Sequence, residues 1–296
     1  MRLSPGQAVV RVPAPALFLG SGIAQYLGAA IAVTLFARIP VTGIAWLRVL
    51  LAAVVLVAWR RPWRLAWTRR DLALAAAFGV VLAVMNVAFY VAIDHLPLGT
   101  AVAIEFIGPV AVVAVTGSGW RERGGIALAA AGVLLLTGVT LAGGRDVVVG
   151  LVAIGIAATA WAGYILLGRR VALLGDGVTR LSVAMAVGAV VLAPFLAGRA
   201  GRVLDAWWLG LAVLGIAVLS SVIPYAVEQV VLRRVTAATF AVLLALLPAS
   251  AAVVGAVVLR QWPHPLDVVG LVLVSAAIAM TSVRRPEPVT EPDVGA

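Results

Sequence analysis

The stretch LPLGTAVAIEFIGPVAVVAVTGSGW, residues 96–120, carries one charge, Glu105, in an otherwise uncharged and largely apolar run. About 20 predominantly apolar residues in a helix cross the hydrocarbon core of a bilayer, so this run reads as a transmembrane span with a carboxylate at depth. A charge at the centre of a span costs roughly 2.5 to 3.5 kcal/mol on insertion scales, and such residues line a path or a site. Gly108 and Pro109 follow three and four residues later. The proline lacks an N–H and is expected to bend the helix just past the carboxylate.

The rest of the chain has the same character. Apolar residues make up 64% of its 296 positions and charged residues 11%, with a mean hydropathy of +1.14, against about half and a quarter in soluble domains. Ten runs are long and apolar enough to span: about 15–37, 43–59, 72–93, 97–117, 124–142, 147–168, 180–197, 207–231, 236–259 and 266–283. The short second run and the tight Gly-rich loops near Gly143 and Gly175 leave nine open, but ten is the expectation. The chain is therefore read as an all-α integral membrane protein. Its first span exceeds the apolar core of a signal peptide and is expected to be retained.

All 22 basic residues are arginine; lysine codons are AT-rich, which suggests a GC-rich bacterial genome. With ten spans and the N-terminus inside, sixteen arginines fall on inner segments and five on outer loops, with Arg48 inside a span. That bias satisfies the positive-inside rule and predicts cytoplasmic termini. It also explains the net charge of +10 without a nucleic-acid partner, since the arginines are spread by loop rather than gathered on one surface. Trp46, Trp59, Trp63, Trp67, Trp120, Trp207, Trp208 and Trp262 lie at span ends, where their rings are expected to anchor in membrane lipid headgroups. Cysteine is absent, which removes disulfides and thiol chemistry. Without lysine there is no Walker A motor, and His95 and His264 form no HExxH pair. No cofactor, metal site or catalytic constellation is expected, and an ion gradient is the simplest energy source.

The chain carries a weak internal repeat at an offset of 139, which superposes Thr100 on Thr239 and Pro109 on Pro248. Taken as real, it divides the chain into two five-span halves, residues 1–143 and 147–284, followed by a disordered tail at 285–296. An odd number of spans per half inverts one half against the other, the architecture of many secondary transporters, with substrate held near the midplane. Chance similarity among Ala/Val/Leu-rich helices is the alternative.

Polar residues within spans mark the candidate site. Asn86, the only asparagine, shares a helical face with Tyr90 in the third span. In the eighth span Ser221, Tyr225, Glu228 and Gln229 form one polar stripe, and the offset sets Tyr225 opposite Asn86. Gln25, Tyr26, Tyr164 and Trp161 add amide and aromatic groups for a small amphipathic solute. Arg48 is expected either to snorkel to the headgroups, the simpler outcome, or to offer its guanidinium to a carboxylate. Pro224 should kink the eighth span, with serine hydroxyls available to the freed carbonyl of Ser220. Gly108, Pro109, Pro224 and Pro248 are the expected hinge positions. Each residue also has a structural alternative: an interhelical hydrogen bond for Asn86, pairing with Arg233 or Arg234 for Glu228, plain packing for the aromatics and plain kinking for the prolines.

The run from Asn86 to Pro109 resembles the hallmark of the threonine and homoserine exporter (RhtA) family, EamA-type proteins of the drug/metabolite transporter superfamily. The likeness extends through Trp46-Leu-Arg-Val-Leu-Leu-Ala, Arg61-Pro-Trp-Arg, Ala160-Trp-Ala-Gly-Tyr-Ile-Leu and Ile223-Pro-Tyr-Ala-Val-Glu. The resemblance implies ten spans in a five-plus-five inverted repeat, a central cavity lined mainly by spans one to four and six to nine, and export of small metabolites across a bacterial inner membrane. It carries over Glu105 from a Glu-Phe-x-Gly-Pro motif and Glu228 from Pro-Tyr-x-x-Glu. The chain departs from the pattern at Leu246-Leu247, where relatives tend to carry a glutamate before the proline, and at Arg260-Gln261, which replaces the usual Gly-Glu.

The expectation is a proton-antiport exporter of small amino acids such as threonine or homoserine. Glu105 or Glu228 would exchange proton for substrate, while Asn86, Tyr90 and Tyr225 orient it. Export of drugs or other metabolites is the alternative within the class, and a passive channel, a membrane enzyme or a non-transporting scaffold are alternatives outside it. Gly132 and Gly138 allow close helix packing, so a homodimer stays open.

Overall fold

The computed structural model describes residues 13–116, 120–140, 145–172, 177–225, 227 and 243–282, and every regular element among them is helical. They are α1 (Ala14–Leu35), α2 (Val41–Arg60), α3 (Arg69–His95), α4 (Leu98–Glu105), α5 (Ile107–Thr116), α6 (Trp120–Thr140), α7 (Arg145–Ala172), α8 (Gly177–Leu196), α9 (Trp207–Ala217), α10 (Leu247–Leu259) and α11 (Pro265–Ser282). Six helical stretches are long and apolar enough to cross a membrane, and four shorter apolar ones accompany them.

Local chemistry sets the helix ends. Thr68 and Asp71 form a capping box at the start of α3, with Thr68 Oγ1 accepting from Asp71 N at 3.1 Å and the Asp71 carboxylate accepting from Thr68 N at 3.3 Å. The same carboxylate meets Arg180 of α8 at 3.4 Å. Pro13, Pro40 and Pro97 stand directly before α1, α2 and α4, where a missing N–H costs nothing. Arg61 and Arg260, at φ 51° and 57°, turn the chain out of α2 and α10 in the left-handed region.

Three prolines interrupt the apolar path as their chemistry requires. The fourth predicted span breaks at Phe106, between α4 and α5, because Pro109 has no N–H for the Glu105 carbonyl. After α9 the helix widens into a π-turn over Val218–Val222, closed by Ile223 N bonding to Val218 O, just ahead of Pro224. The ninth predicted span is described from residue 243. There, Leu246 N bonds to Leu243 O at 3.1 Å, and α10 then begins with Pro248 in its first turn. Pro248 thus opens a helix in the described part rather than kinking a continuous one.

Where helices cross closely, the contact is made by small residues. A Cβ on Gly79 of α3 would run into the Ala184 carbonyl of α8, and one on Gly188 into the Gly79 carbonyl. Gly132 of α6 sits against α11, where a Cβ would lie 2.8 Å from the Gly270 carbonyl. Around these crossings α3 packs on α7 and α8, α2 on α8, α6 on α11, and α10 on α1 and α4. Trp59, Trp63, Trp120, Trp207, Trp208 and Trp262 are exposed. Trp46 is not a headgroup anchor as expected: its indole N–H donates to Ala189 O at 2.7 Å, tying α2 to α8.

Gly79→Val should lower the detergent melting temperature strongly, an overpacking cost of about 1–3 kcal/mol or more. Gly155→Ala, where nothing lies within 4 Å of the added carbon, should be neutral or slightly stabilising. Equal melting temperatures for the two variants would refute the close α3–α8 crossing.

Candidate functional site

A cavity of about 100 Å³ lies between α1, α2, α3, the end of α4, α7 and the chain around the π-turn, large enough for several waters or a small solute. Its wall brings together Gln25, Arg48, Asn86, Glu105, Trp161, Tyr164 and Tyr225, with Tyr26, Ala29, Met85, Phe89, Ser220, Pro224, Leu244 and Leu247 completing it. Asn86 and Tyr225, paired by the internal offset, both reach this wall. Glu228 lies outside the described residues.

Arg48 is the organising side chain. It is 5% exposed, so it does not snorkel, and it turns inward from α2. Its Nε donates to Ser221 Oγ at 3.0 Å and its Nη2 to Ser220 O at 2.8 Å. The guanidinium carbon stands 5.1 Å from the centroid of the Tyr90 ring, a cation–π geometry. The freed carbonyl before Pro224 is therefore met by an arginine from another span. The hydroxyl of Ser220 is occupied elsewhere, donating to Gln25 O of α1 at 3.0 Å. Gly28 lets α1 come this close, since a Cβ there would collide with the Ser220 side chain.

Glu105 borders the same cavity at the point where α4 ends. The Arg48 charge acts on it across the space, yet the two form no direct ion pair among the described residues. A buried cation and a half-buried carboxylate thus border one cavity without pairing directly.

The remaining predicted residues divide. Asn86, 4% exposed, donates to Leu82 O of its own helix at 2.8 Å, which leaves its amide oxygen for another partner. Trp161 stands edge-on to Phe106 at 4.6 Å between centroids, and Tyr164 stacks on Phe78 at 4.8 Å; both rings are held by neighbours while bordering the cavity. Tyr90 does not line the cavity: it is fully buried behind Arg48, and its hydroxyl has no hydrogen-bond partner among the described residues. Of the hinge set, Pro109 follows the α4–α5 break and Pro224 the π-turn, Pro248 opens α10, and Gly108 lies where a Cβ would strike the Ala158 carbonyl of α7. Sequence reasoning missed Met85 and Phe89, although Phe89 lies one turn from Asn86 on the same face. Among the described residues no group of three His, Asp or Glu side chains is placed to hold a metal ion.

Residues 148–283 match the model of the EamA-like transporter family. The threonine/homoserine exporter RhtA of Escherichia coli (strain K12) is 33% identical over 258 residues, 85% of this chain and 86% of the relative. The protein of the same name from Salmonella typhimurium (strain SL1344) is 32% identical over 249 residues, 83% of each chain. The chain belongs to the RhtA family of EamA-type transporters. It is accordingly a multi-pass membrane protein of a transporter family. One solved crystal structure, 17% identical, superposes with a TM-score of 0.58 over 90% of this chain and 95% of its own, a likeness of fold alone.

Tyr90→Phe should leave the melting temperature unchanged or raised, because it removes a buried hydroxyl that has no partner among the described residues. Tyr90→Leu should lower stability by about 1–2 kcal/mol by stripping the aromatic face from Arg48. Equal losses in the two variants would show that the hydroxyl, not the ring, is what the site uses.

Proposed function

We propose that this chain is a proton-coupled exporter of small amino acids, with threonine and homoserine as substrates. The observation that carries this is that Arg48 and Glu105 border one cavity without a direct salt bridge between them. A zwitterion fits that arrangement, its carboxylate toward the guanidinium and its ammonium toward the carboxylate. The RhtA relatives supply the substrate class through their names.

Coupling follows from competition. A proton on Glu105 or Glu228 removes the charge that holds the ammonium, so proton and substrate alternate at one site. Alternating access would come from rocking two inverted five-span halves, residues 1–143 and 147–284, around the cavity. Two observations support that repeat: Asn86 and Tyr225 both border the cavity, and the backbone breaks at Phe106 and again just before Leu247, close to the same offset of 139. Ten spans with both termini cytoplasmic, in a bacterial inner membrane, complete the topology. No nucleic acid or cofactor takes part. Gly132 is used inside the chain against α11, so a homodimer would be built from other faces.

Export of drugs or other apolar metabolites is the second reading. It is favoured by the aromatic wall of Tyr26, Phe89, Trp161, Tyr164 and Tyr225 and by Leu247 at the cavity, beside the position where relatives tend to carry a glutamate.

Inside-out vesicles should accumulate labelled threonine when a proton gradient is imposed, and Glu105→Gln or Glu228→Gln should abolish the gradient dependence while the protein stays folded. Unchanged pH dependence in both variants would sink the proton mechanism. Competition by apolar drugs but not by homoserine would move the substrate to the second reading.

A further inference from the structure

We infer that Pro224 and Ser221 are positioning residues that orient Arg48 as a carboxylate reader, so the π-turn sets a requirement for a free carboxylate in the substrate. This rests on Arg48 binding the substrate carboxylate as proposed above.

In a regular helix the Ser220 carbonyl would accept from the N–H of residue 224. Pro224 has none, and the carbonyl instead takes Arg48 Nη2 at 2.8 Å. Ser221, on the same π-turn, takes Nε at 3.0 Å. Those two donors form one edge of the planar guanidinium. The opposite edge, Nη1 with the second hydrogen of Nη2, has no hydrogen-bond acceptor among the described residues, on a side chain that borders the cavity. That edge has the fork geometry that matches two carboxylate oxygens. The guanidinium carbon also lies over the Tyr90 ring, 5.1 Å from its centroid, a third contact that holds it. With one edge anchored by two hydrogen bonds and the Tyr90 ring in contact, Arg48 is held before substrate arrives, and less conformational freedom is lost on binding.

The chemical consequence is selectivity. A carboxylate fills both donors of the free edge and neutralises the charge, whereas a carboxamide offers one neutral oxygen. Threonine should therefore be strongly preferred over threoninamide, which keeps the ammonium and side chain. Pro224→Ala returns an N–H to the Ser220 carbonyl and releases Nη2, and Ser221→Ala removes the acceptor of Nε. Each should raise KM for threonine about tenfold, the worth of one charge-assisted hydrogen bond, while KM for threoninamide stays within about twofold, so that discrimination collapses. A merely structural role for Pro224 or Ser221 would shift both substrates together.

The experiment is transport of labelled threonine into inside-out vesicles, with threoninamide as competitor, for wild type, Pro224→Ala, Ser221→Ala and Arg48→Gln, each first shown to be folded by its melting curve. Loss of discrimination in all three variants supports the proposal. Loss in Arg48→Gln alone overturns the positioning role and leaves the cavity reading intact. Discrimination that survives Arg48→Gln overturns both, because the carboxylate is then read elsewhere.

Discussion

A guanidinium carried into the apolar interior must find its acceptors there, since neither lipid nor a packed core supplies them. Arg48 meets that demand with two acceptors from one π-turn and the face of Tyr90. Each partner constrains something else. The Ser220 carbonyl is open because Pro224 withholds its N–H, and Ser220 Oγ in turn holds α1 through the carbonyl of Gln25. Gly28 is required for that approach. One buried charge therefore ties α1, α2, α3 and the segment after α9 around the cavity they share.

Glu105 is the counterpart of this arrangement. It stands at the end of α4, where the helix is interrupted before Pro109, and borders the cavity that Arg48 also lines. Two groups that would each be costly alone compensate at a distance and leave space between them. A closed salt bridge would stabilise the ground state more but would present a neutral surface to a zwitterion. An open pair trades that stability for a binding site, which is the physical content of the proposed exporter.

Small residues make the rest of the frame possible. Association of helices in a membrane depends on close packing and polar contacts rather than on expelling water, and Gly79, Gly188, Gly132 and Gly270 sit where another helix's backbone leaves no room for a side chain. At one end of α3 the Asp71–Arg180 pair and the bond from Arg60 to Thr179 join α2, α3 and α8. The helices are thus held by many short contacts, with the proline-interrupted segments beside the cavity.

The sequence alone determined that the chain is helical and membrane-spanning, and it located helix ends to within a few residues, as for the run 43–59 against α2 at Val41–Arg60. Hydropathy, capping residues and prolines act locally, so they can be read along one dimension. It also singled out Glu105, Asn86 and Tyr225, because a polar group within an apolar run is conspicuous without knowledge of its neighbours. Only the tertiary structure decided that Arg48 turns inward, that an arginine rather than a serine hydroxyl meets the Ser220 carbonyl, that Tyr90 stands behind the site, and that Trp46 is an internal tie. Arg48 and its acceptors are 172 and 173 positions apart in the chain. The direction of a long side chain near a helix end is set by whichever acceptor the fold brings within reach, and no local pattern records that.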